Sequence, residues 1–406
     1  MFRKLTLAVA LSVSVMIPGQ AMAACAFENK TEIKSLSAAF EAWKAVTDAM
    51  AECGNVKAEL DQEFKTKQPE AMKANPSLYH IGGVANATLV PLLDDGSIRP
   101  LDDLVEKYGQ HLTPNQLIKI DGKTMAVAMM VNAQHLMYRE DIFKDLGLEV
   151  PATYDEMLAV AAKIKEAGVV DYPIGGTFKT GWNLGEEFIN MYMGFGGEFV
   201  DADNKPTLNN EAGVKTLEML KALTEYMDPE YLVSDSTYVQ QQFQQEKIAM
   251  SNLWASRAGA MDDENESKVV GKVKMAAAPA AMEGGKPATT LWWDGITIAK
   301  NISDEEAEAA FRVAMEGLDE EMVKAHNDDA VWLIKGYEPG PMAAGAAASA
   351  EGGAPSYPAS KAIGMMHTAL GDGVADFLTG KKDAETTLKD IEAAYLTAAK
   401  EGGLVK

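Results

Sequence analysis

Residues that bind metals or carry out nucleophilic catalysis are scarce in this chain. Five histidines and two cysteines are scattered over 406 residues without His-x-x-x-His or Cys-x-x-Cys spacing, so a metal site is not expected. The Gly-x-Gly-x-x-Gly and Gly-x-x-x-x-Gly-Lys-Ser/Thr loops of nucleotide-binding proteins are absent, and so is the Gly-x-Ser-x-Gly elbow of hydrolases. We therefore expect a protein with no cofactor and no catalytic site.

Basic residues are also few, 37 against 60 acidic ones, which gives a formal net charge of −23. Binding to nucleic acid requires basic patches that neutralise phosphates, so nucleic acid is not an expected partner. The acidic residues lie mostly on predicted helix faces, where they favour solubility. No motif singles out a pair of carboxylates for glycoside hydrolysis, but a secreted glycan-acting hydrolase stays an open alternative.

The N-terminus has the pattern of an export signal. Arg3-Lys4 precede an apolar stretch at 5–17, and Ala21-Met22-Ala23 forms a small-x-small cleavage site. The apolar stretch is too short to cross a membrane. We predict a signal peptide at 1–23 and a periplasmic mature protein that does not itself span the membrane.

The two cysteines are expected to form a disulfide in that oxidising compartment. If 33–37 is a strand and 42–52 the helix that returns antiparallel to it, Cys53 ends near Cys25. The alternative is lipid attachment at Cys25, since Met22-Ala23-Ala24-Cys25 resembles a lipobox.

The chain of 406 residues is long enough for two domains, and its 47% apolar and 24% charged residues are typical of soluble proteins. The stretch 121–158 is the most informative part. Asp121-Gly122 predicts a tight hairpin turn, and 125–131 is an apolar run with the length of a buried strand. Polar residues at 132–135 interrupt this run, which is the pattern of a strand that crosses between two lobes.

The residues after this break form a specific motif, whose members are Tyr138, Arg139, Asp141, Phe143, Gly147, Leu148, Pro151, Tyr154, Asp155 and Glu156. In this spacing they resemble the bacterial extracellular solute-binding proteins of family 1, the periplasmic receptors of sugar-importing ABC transporters. The segments 203–209 and 243–251 are similar to two further stretches of that family.

The resemblance implies an α/β, two-lobed periplasmic-binding-protein fold of the class II type, with a ligand cleft between lobes joined by hinge crossings. Alternating strand and helix patterns between 31 and 100 agree with an open sheet covered by helices. The expected parts are lobe one (24–130 plus 290–330), lobe two (133–287 plus 335–406), and three crossings near 131–132, 284–290 and 330–334. Leu78–Ile81 is expected to be a strand that ends at Gly82-Gly83, and 336–358 an irregular connection.

The function that the resemblance implies is capture of a carbohydrate, mono- or oligosaccharide, and its delivery to the membrane permease subunits of an ABC importer. A polyol, a sugar phosphate or another non-sugar solute remains an alternative ligand. An anionic solute would need arginine or lysine in the cleft, and Arg139, Lys179 and Arg257 are expected near it.

Sugar rings stack on flat aromatic side chains, while their hydroxyls need donors and acceptors nearby. The candidate ligand-binding residues are Trp43, Asn86, Asn132, Trp182, Trp254, Trp292, Trp293, Asp294 and Trp332. Neighbours on a strand point to opposite faces, so only one of Trp292 and Trp293 is expected to face the ligand. Trp43 also fits a helical core stripe with Phe40 and Val46.

Overall fold

The computed structural model of the protein describes Cys25 and residues 27–406. The predicted signal peptide, 1–23, lies outside the described residues. Within them the strands are, in chain order, β1 (Ile33–Ser37), β2 (Val56–Leu60), β3 (Ile81–Ala85), β4 (Leu117–Ile120), β5 (Lys123–Asn132), β6 (Gln134–Arg139), β7 (Tyr172–Gly175), β8 (Ile248–Trp254), β9 (Val273–Ala276), β10 (Trp292–Ile298) and β11 (Val331–Trp332).

The helices pack around these strands. In chain order they are α1 (Glu41–Ala51), α2 (Phe64–Lys73), α3 (Asn86–Asp94), α4 (Asp102–Tyr108), α5 (Glu140–Leu146), α6 (Tyr154–Ala167), α7 (Trp182–Gly194), α8 (Glu211–Thr224), α9 (Ser236–Gln244), α10 (Asp304–Glu316), α11 (Glu320–Ala325), α12 (Ala344–Glu351), α13 (Lys361–Leu378) and α14 (Ala384–Glu401).

The strands form two separate sheets, one in each lobe. The larger sheet has the order β11-β5-β10-β3-β1-β2, with β4 paired to β5, and the smaller has the order β7-β8-β6-β9. In the larger sheet β1 is parallel to β2 and β3, whereas β10 runs antiparallel to both β3 and β5. The predicted two-lobed α/β fold is therefore confirmed.

The first crossing lies between β5 and β6, which belong to different sheets although only Ala133 separates them. The polar break predicted at 132–135 is this change of sheet. β10 begins at Trp292, which pairs with Asn132, and β11 pairs with the same end of β5. Three segments thus meet at one place between the two sheets.

The hairpin at Asp121-Gly122 agrees with the sequence pattern. Both residues have positive φ, 49° and 78°, which is the backbone of a type I′ turn, and the turn joins the antiparallel strands β4 and β5. Asp tolerates this conformation and Gly adopts it without steric cost.

The prediction that the third strand ends at Gly82-Gly83 was wrong, because both glycines lie inside β3. A Cβ on Gly83 would lie 2.8 Å from the Trp43 ring and 2.3 Å from Cβ of Ser37. The glycine marks a close approach of helix α1 to the centre of the sheet, and not a turn.

The prediction of an irregular connection over 336–358 was wrong in part. Helix α12 (Ala344–Glu351) forms inside it, since its alanine-rich sequence has a high intrinsic helix propensity. Among the described residues no helix combines the length and apolar character needed to cross a bilayer.

Cys25 and Cys53 are joined by a disulfide with a Cα–Cα distance of 4.9 Å. Beside it the Asn29 backbone N–H donates to the Cys53 carbonyl at 2.7 Å. A group of potential metal-ligating side chains in the described part of the chain contains these two cysteines and Glu316. Because the two sulfurs bond to each other, they are not metal ligands here.

Candidate functional site

A cleft of about 870 Å³ lies between the two sheets and is lined from both lobes. The start of α2 and the start of β10 supply its wall on the side of the larger sheet. The start of α7 and the end of β8 supply the opposite wall, and Asn132 lies at the crossing between them. The cleft therefore opens where the chain changes from one sheet to the other.

Three indole rings form the floor of the cleft. Trp182 and Trp254 lie with ring centroids 6.2 Å apart and planes inclined by 30°. Trp292 meets both of them edge-on, at 5.5 and 5.9 Å. His367 stacks against Trp182 at 4.9 Å, and the Tyr357 ring lies 4.1 Å from Trp292. The floor is thus a continuous aromatic surface of the kind that binds the C–H faces of sugars.

A buried carboxyl holds Trp292 in place. Oε1 of Glu186 accepts hydrogen bonds from the Trp292 indole N–H at 3.0 Å and the Thr290 hydroxyl at 2.8 Å, while Oε2 has no partner among the described residues. Glu186 is fully buried, and this loss of hydration raises its pKa to about 8. At neutral pH this side chain is therefore mostly uncharged.

A second buried carboxyl ties this region to the first crossing. Glu187 accepts from the side-chain amide of Gln134 at 2.8 Å and from the hydroxyl of Thr177. Burial raises the pKa of Glu187 to about 7. Asn190 continues the network by donating to Gln134 at 2.9 Å, so polar side chains of α7 fix the residues on which the two lobes meet.

Asp294 is the acidic side chain at the base of the cleft, and it is only 9% exposed. Burial raises its pKa to about 7, against the opposing effects of the Lys65 ammonium and of a hydrogen bond from Trp43. Trp43 itself is 2% exposed and belongs to the core of the larger lobe. Trp43 therefore donates to Asp294 from the core of this lobe and does not line the cleft.

Lys65 is a cleft residue that the sequence analysis missed. Its Nζ lies 3.3 Å from the centroid of the Trp182 ring. Desolvation lowers the pKa of Lys65 to about 8, and the nearby carboxyls of Glu186 and Asp294 oppose this effect. The signal that could have found it is its position in the first turn of α2, the helix that follows β2, since strand-to-helix junctions of open sheets present ligand contacts.

Five of the nine predicted residues line the cleft, namely Asn132, Trp182, Trp254, Trp292 and Asp294. Asn132 is 7% exposed and donates from Nδ2 to the Ser256 hydroxyl at 3.2 Å. Four predicted residues do not line it: Trp43, Asn86, Trp293 and Trp332.

The structural roles of these residues explain their positions. Asn86 accepts from the Trp293 backbone N–H at 3.0 Å and donates to the Leu291 carbonyl at 3.2 Å, so its amide is occupied by the backbone around the start of β10. Trp293 packs in a cluster on the opposite face of β10 from Trp292. Trp332 is 3% exposed and donates to the His326 carbonyl at 2.9 Å.

Two of the three cations that we expected near the cleft line it. Lys179 lies 3.5 Å from Asp235 and 3.7 Å from Glu63, the latter across the two lobes. Arg257 donates to the neutral side chain of Gln240 at 3.1 Å, and burial lowers its pKa to about 10. Arg139 does not belong to this set, because its guanidinium is buried beside Asp141 at 2.6 Å outside the cleft.

This architecture agrees with the comparison of the chain with known families. Residues 35–316 match the family described as bacterial extracellular solute-binding protein. The match extends over more than half of the chain, so the protein belongs to this family of extracellular and periplasmic solute-binding proteins.

Curated relatives match parts of the chain. A "Probable ABC transporter-binding protein" of Deinococcus radiodurans is 30% identical over 182 residues, 42% of each protein. A "Probable amino-acid ABC transporter periplasmic-binding protein" of Sinorhizobium fredii is 25% identical over 202 residues, 47% of this chain and 44% of the relative. The chain thus spans somewhat less than half the length of these relatives.

Solved structures share the fold over almost the whole chain. An ABC transporter solute-binding protein of Agrobacterium radiobacter K84, in complex with ribitol, has a TM-score of 0.79 at 22% identity and covers 90% of this chain and 98% of its own. A second, from Agrobacterium vitis S4 with bound D-mannitol, has a TM-score of 0.78 at 20% identity, with coverages of 91% and 99%. At this level of identity the similarity shows a common fold.

Proposed function

We propose that this protein is the substrate-binding component of an ABC importer, which binds a carbohydrate or polyol between its lobes and delivers it to membrane permease subunits. The observation that carries the proposal is the three-indole floor with the carboxyl of Asp294 and the amide of Asn132 beside it. Apolar ring faces and hydroxyl-binding groups in one cleft match the two chemical faces of a sugar.

We propose that the two predicted lobes move relative to each other. Lobe one comprises 24–130 plus 290–330, and lobe two comprises 133–287 plus 335–406. The ligand favours the closed state because it contacts both lobes at once. Trp182 and Trp254 belong to the second lobe, and Asp294 to the first. A ligand that stacks on the indoles and bonds to Asp294 therefore links the two lobes.

We further propose that the protein acts in the periplasm after removal of a signal peptide at 1–23. The Cys25–Cys53 disulfide supports an oxidising compartment. It also favours the soluble form over a lipoprotein, because a sulfur in a disulfide is not available for lipid attachment.

We propose that the cleft binds its ligand without chemistry. Its buried carboxyls have structural partners: Glu186 accepts from Trp292, and Trp43 donates to Asp294. Incubation of the protein with oligosaccharides, followed by NMR of the products, tests this point. Release of shorter sugars at a rate above that of heat-inactivated protein would revive the hydrolase alternative.

A thermal-shift screen over sugars, polyols and sugar phosphates tests the binding function, because a ligand of the folded state raises the melting temperature. Trp254→Ala should weaken binding of the best hit by about tenfold, the effect of losing an aromatic contact worth ~1.4 kcal/mol. Trp293→Phe, on the other face of β10, is the control and should leave the affinity unchanged. Stabilisation by amino acids alone, with no response to any sugar or polyol, would refute the carbohydrate assignment.

A further inference from the structure

The Lys65 ammonium has donors that the protein does not use. Its Nζ lies 3.3 Å from the centroid of the Trp182 ring, and the side chain is half-buried in the cleft wall. Among the described residues no hydrogen-bond acceptor and no carboxylate within 4.0 Å pairs with its Nζ. A desolvated ammonium in a cleft is best satisfied by oxygen atoms of a ligand.

Arg257 is a second cation with unused donors on the same cleft. Its guanidinium has five N–H groups, and the structure gives it one hydrogen-bond acceptor, Oε1 of Gln240. In the part of the chain that the structure describes, no carboxylate lies within 4.0 Å of Arg257. Asp235 and Glu41 influence it only at longer range.

The acidic side chains of the cleft offset these two cations only in part. Glu63 and Asp235 both pair with Lys179. Asp95 pairs with Lys73 at 3.2 Å. Asp94 and Asp372 are exposed, so water and salt screen them.

Asp294 lines the cleft close to Lys65, and burial raises the pKa of Asp294 to about 7, so this carboxyl is partly protonated at neutral pH. Among the described residues Lys65 and Arg257 are thus two cleft cations without a carboxylate within 4.0 Å, although the chain as a whole is strongly acidic.

We propose that Lys65 is a specificity-determining residue, and that the cleft selects polyhydroxylated ligands carrying an acidic group, such as sugar acids, over their neutral and amine-bearing counterparts. This inference rests on the proposed function and names the ligand class of the same site. The ligand's anionic group accepts from Lys65 while its ring or chain packs on the indoles. Charge-assisted bonds of this kind are about twice as strong as neutral ones in a desolvated site.

The test compares matched ligands that differ only in charge. Binding of D-glucose, D-glucuronate and D-glucosamine, and of D-galactose, D-galacturonate and D-galactosamine, is measured by thermal shift and isothermal titration calorimetry at pH 7. The acid of a bound series should bind about tenfold or more tightly than its neutral member, the factor expected for one charge-assisted bond, and the amine should bind most weakly.

Lys65→Met keeps the length of the side chain and removes the charge. It should bring the affinity of the acid to within about threefold of that of its neutral member, both measured on the same variant. Lys65→Arg should retain the preference, which separates loss of charge from disturbed packing. Lys67→Met is the control, because Lys67 lies in the same helix α2 and pairs with Glu59 at 3.1 Å, and neither of these residues lines the cleft.

The outcomes separate this inference from the function on which it rests. If a neutral sugar binds as tightly as its acid, or if Lys65→Met leaves the ratio of affinities unchanged, the inference is wrong and the carbohydrate-binding function stands. If no sugar, sugar acid or polyol binds, while amino acids do, the proposed function fails and the inference fails with it.

Discussion

The carboxyl of Glu186 makes a sharp prediction about stability and pH. Its pKa is about 8 in the folded protein and about 4.3 in an unfolded chain. Between these values the unfolded state has released a proton that the folded state still holds, so stability falls as pH rises, by about 1.4 kcal/mol per pH unit. The loss ends above pH 8, where both states are ionised.

Glu186→Gln removes this titration and keeps the shape of the side chain. In the wild-type protein Oε1 of Glu186 accepts from the indole N–H of Trp292 and from the hydroxyl of Thr290. The amide oxygen of the variant can accept from the same two groups. Between pH 6.5 and 8 the free energy of unfolding of the wild-type protein should fall by about 1.6 kcal/mol relative to that of the variant. The full slope acts over about 1.2 of these 1.5 pH units, because Glu186 begins to ionise in the folded state as the pH approaches 8. Groups that titrate equally in both proteins cancel in this difference.

Urea unfolding followed by far-UV circular dichroism at pH 6.5, 7.25 and 8 measures this difference. Glu283→Gln, at an exposed loop position, controls for the loss of one negative charge and should run parallel to the wild type. A constant difference between wild type and Glu186→Gln across the three pH values would refute the reasoning, because it would mean that Glu186 is already ionised in the fold at pH 6.5.

Two further predictions concern the Cys25–Cys53 disulfide and the ion pair between Glu63 and Lys179. The double variant Cys25→Ser, Cys53→Ser should have a free energy of unfolding about 3–4 kcal/mol lower than the wild type, the value for a loop of 28 residues. Equal urea unfolding of the two proteins under oxidising conditions would contradict this. Glu63→Gln removes the cross-lobe pair with Lys179, so affinity for the best ligand should fall by a factor of about two at low salt and match the wild type at 0.5 M NaCl. Calorimetry at both salt concentrations measures the affinity. A loss of affinity that persists at high salt would exclude an electrostatic link between the lobes.

The sequence was informative about elements and about the crossing. The Asp121-Gly122 turn and the polar break at 132–135 both correspond to features of the structure. These signals are local, since the conformation of a turn depends on residues a few positions apart. Gly83 misled the prediction because its role depends on Trp43, forty residues away.

The site was less accessible to the sequence for the same reason. Strand alternation required Trp292 and Trp293 to face opposite ways, but which of them faces the cleft depends on how β10 sits between β3 and β5. The sequence contains six tryptophans, but it does not show that the indole N–H of Trp332 donates to the His326 carbonyl within the protein.

The order of the residues was enough to recognise the resemblance to the family through a long spaced motif, and to locate the change of lobe through a polar break in an apolar run. The chemistry of the cleft became visible only in the folded chain. Folding places the Lys65 ammonium against the Trp182 ring and the carboxyl of Glu186 within hydrogen-bond distance of the Trp292 indole, and it buries Glu186 completely. Charge and hydrogen bonding in a cleft depend on which distant segments come together and on how deeply their side chains are buried. Neither the contacts nor the burial can be read from the order of the residues.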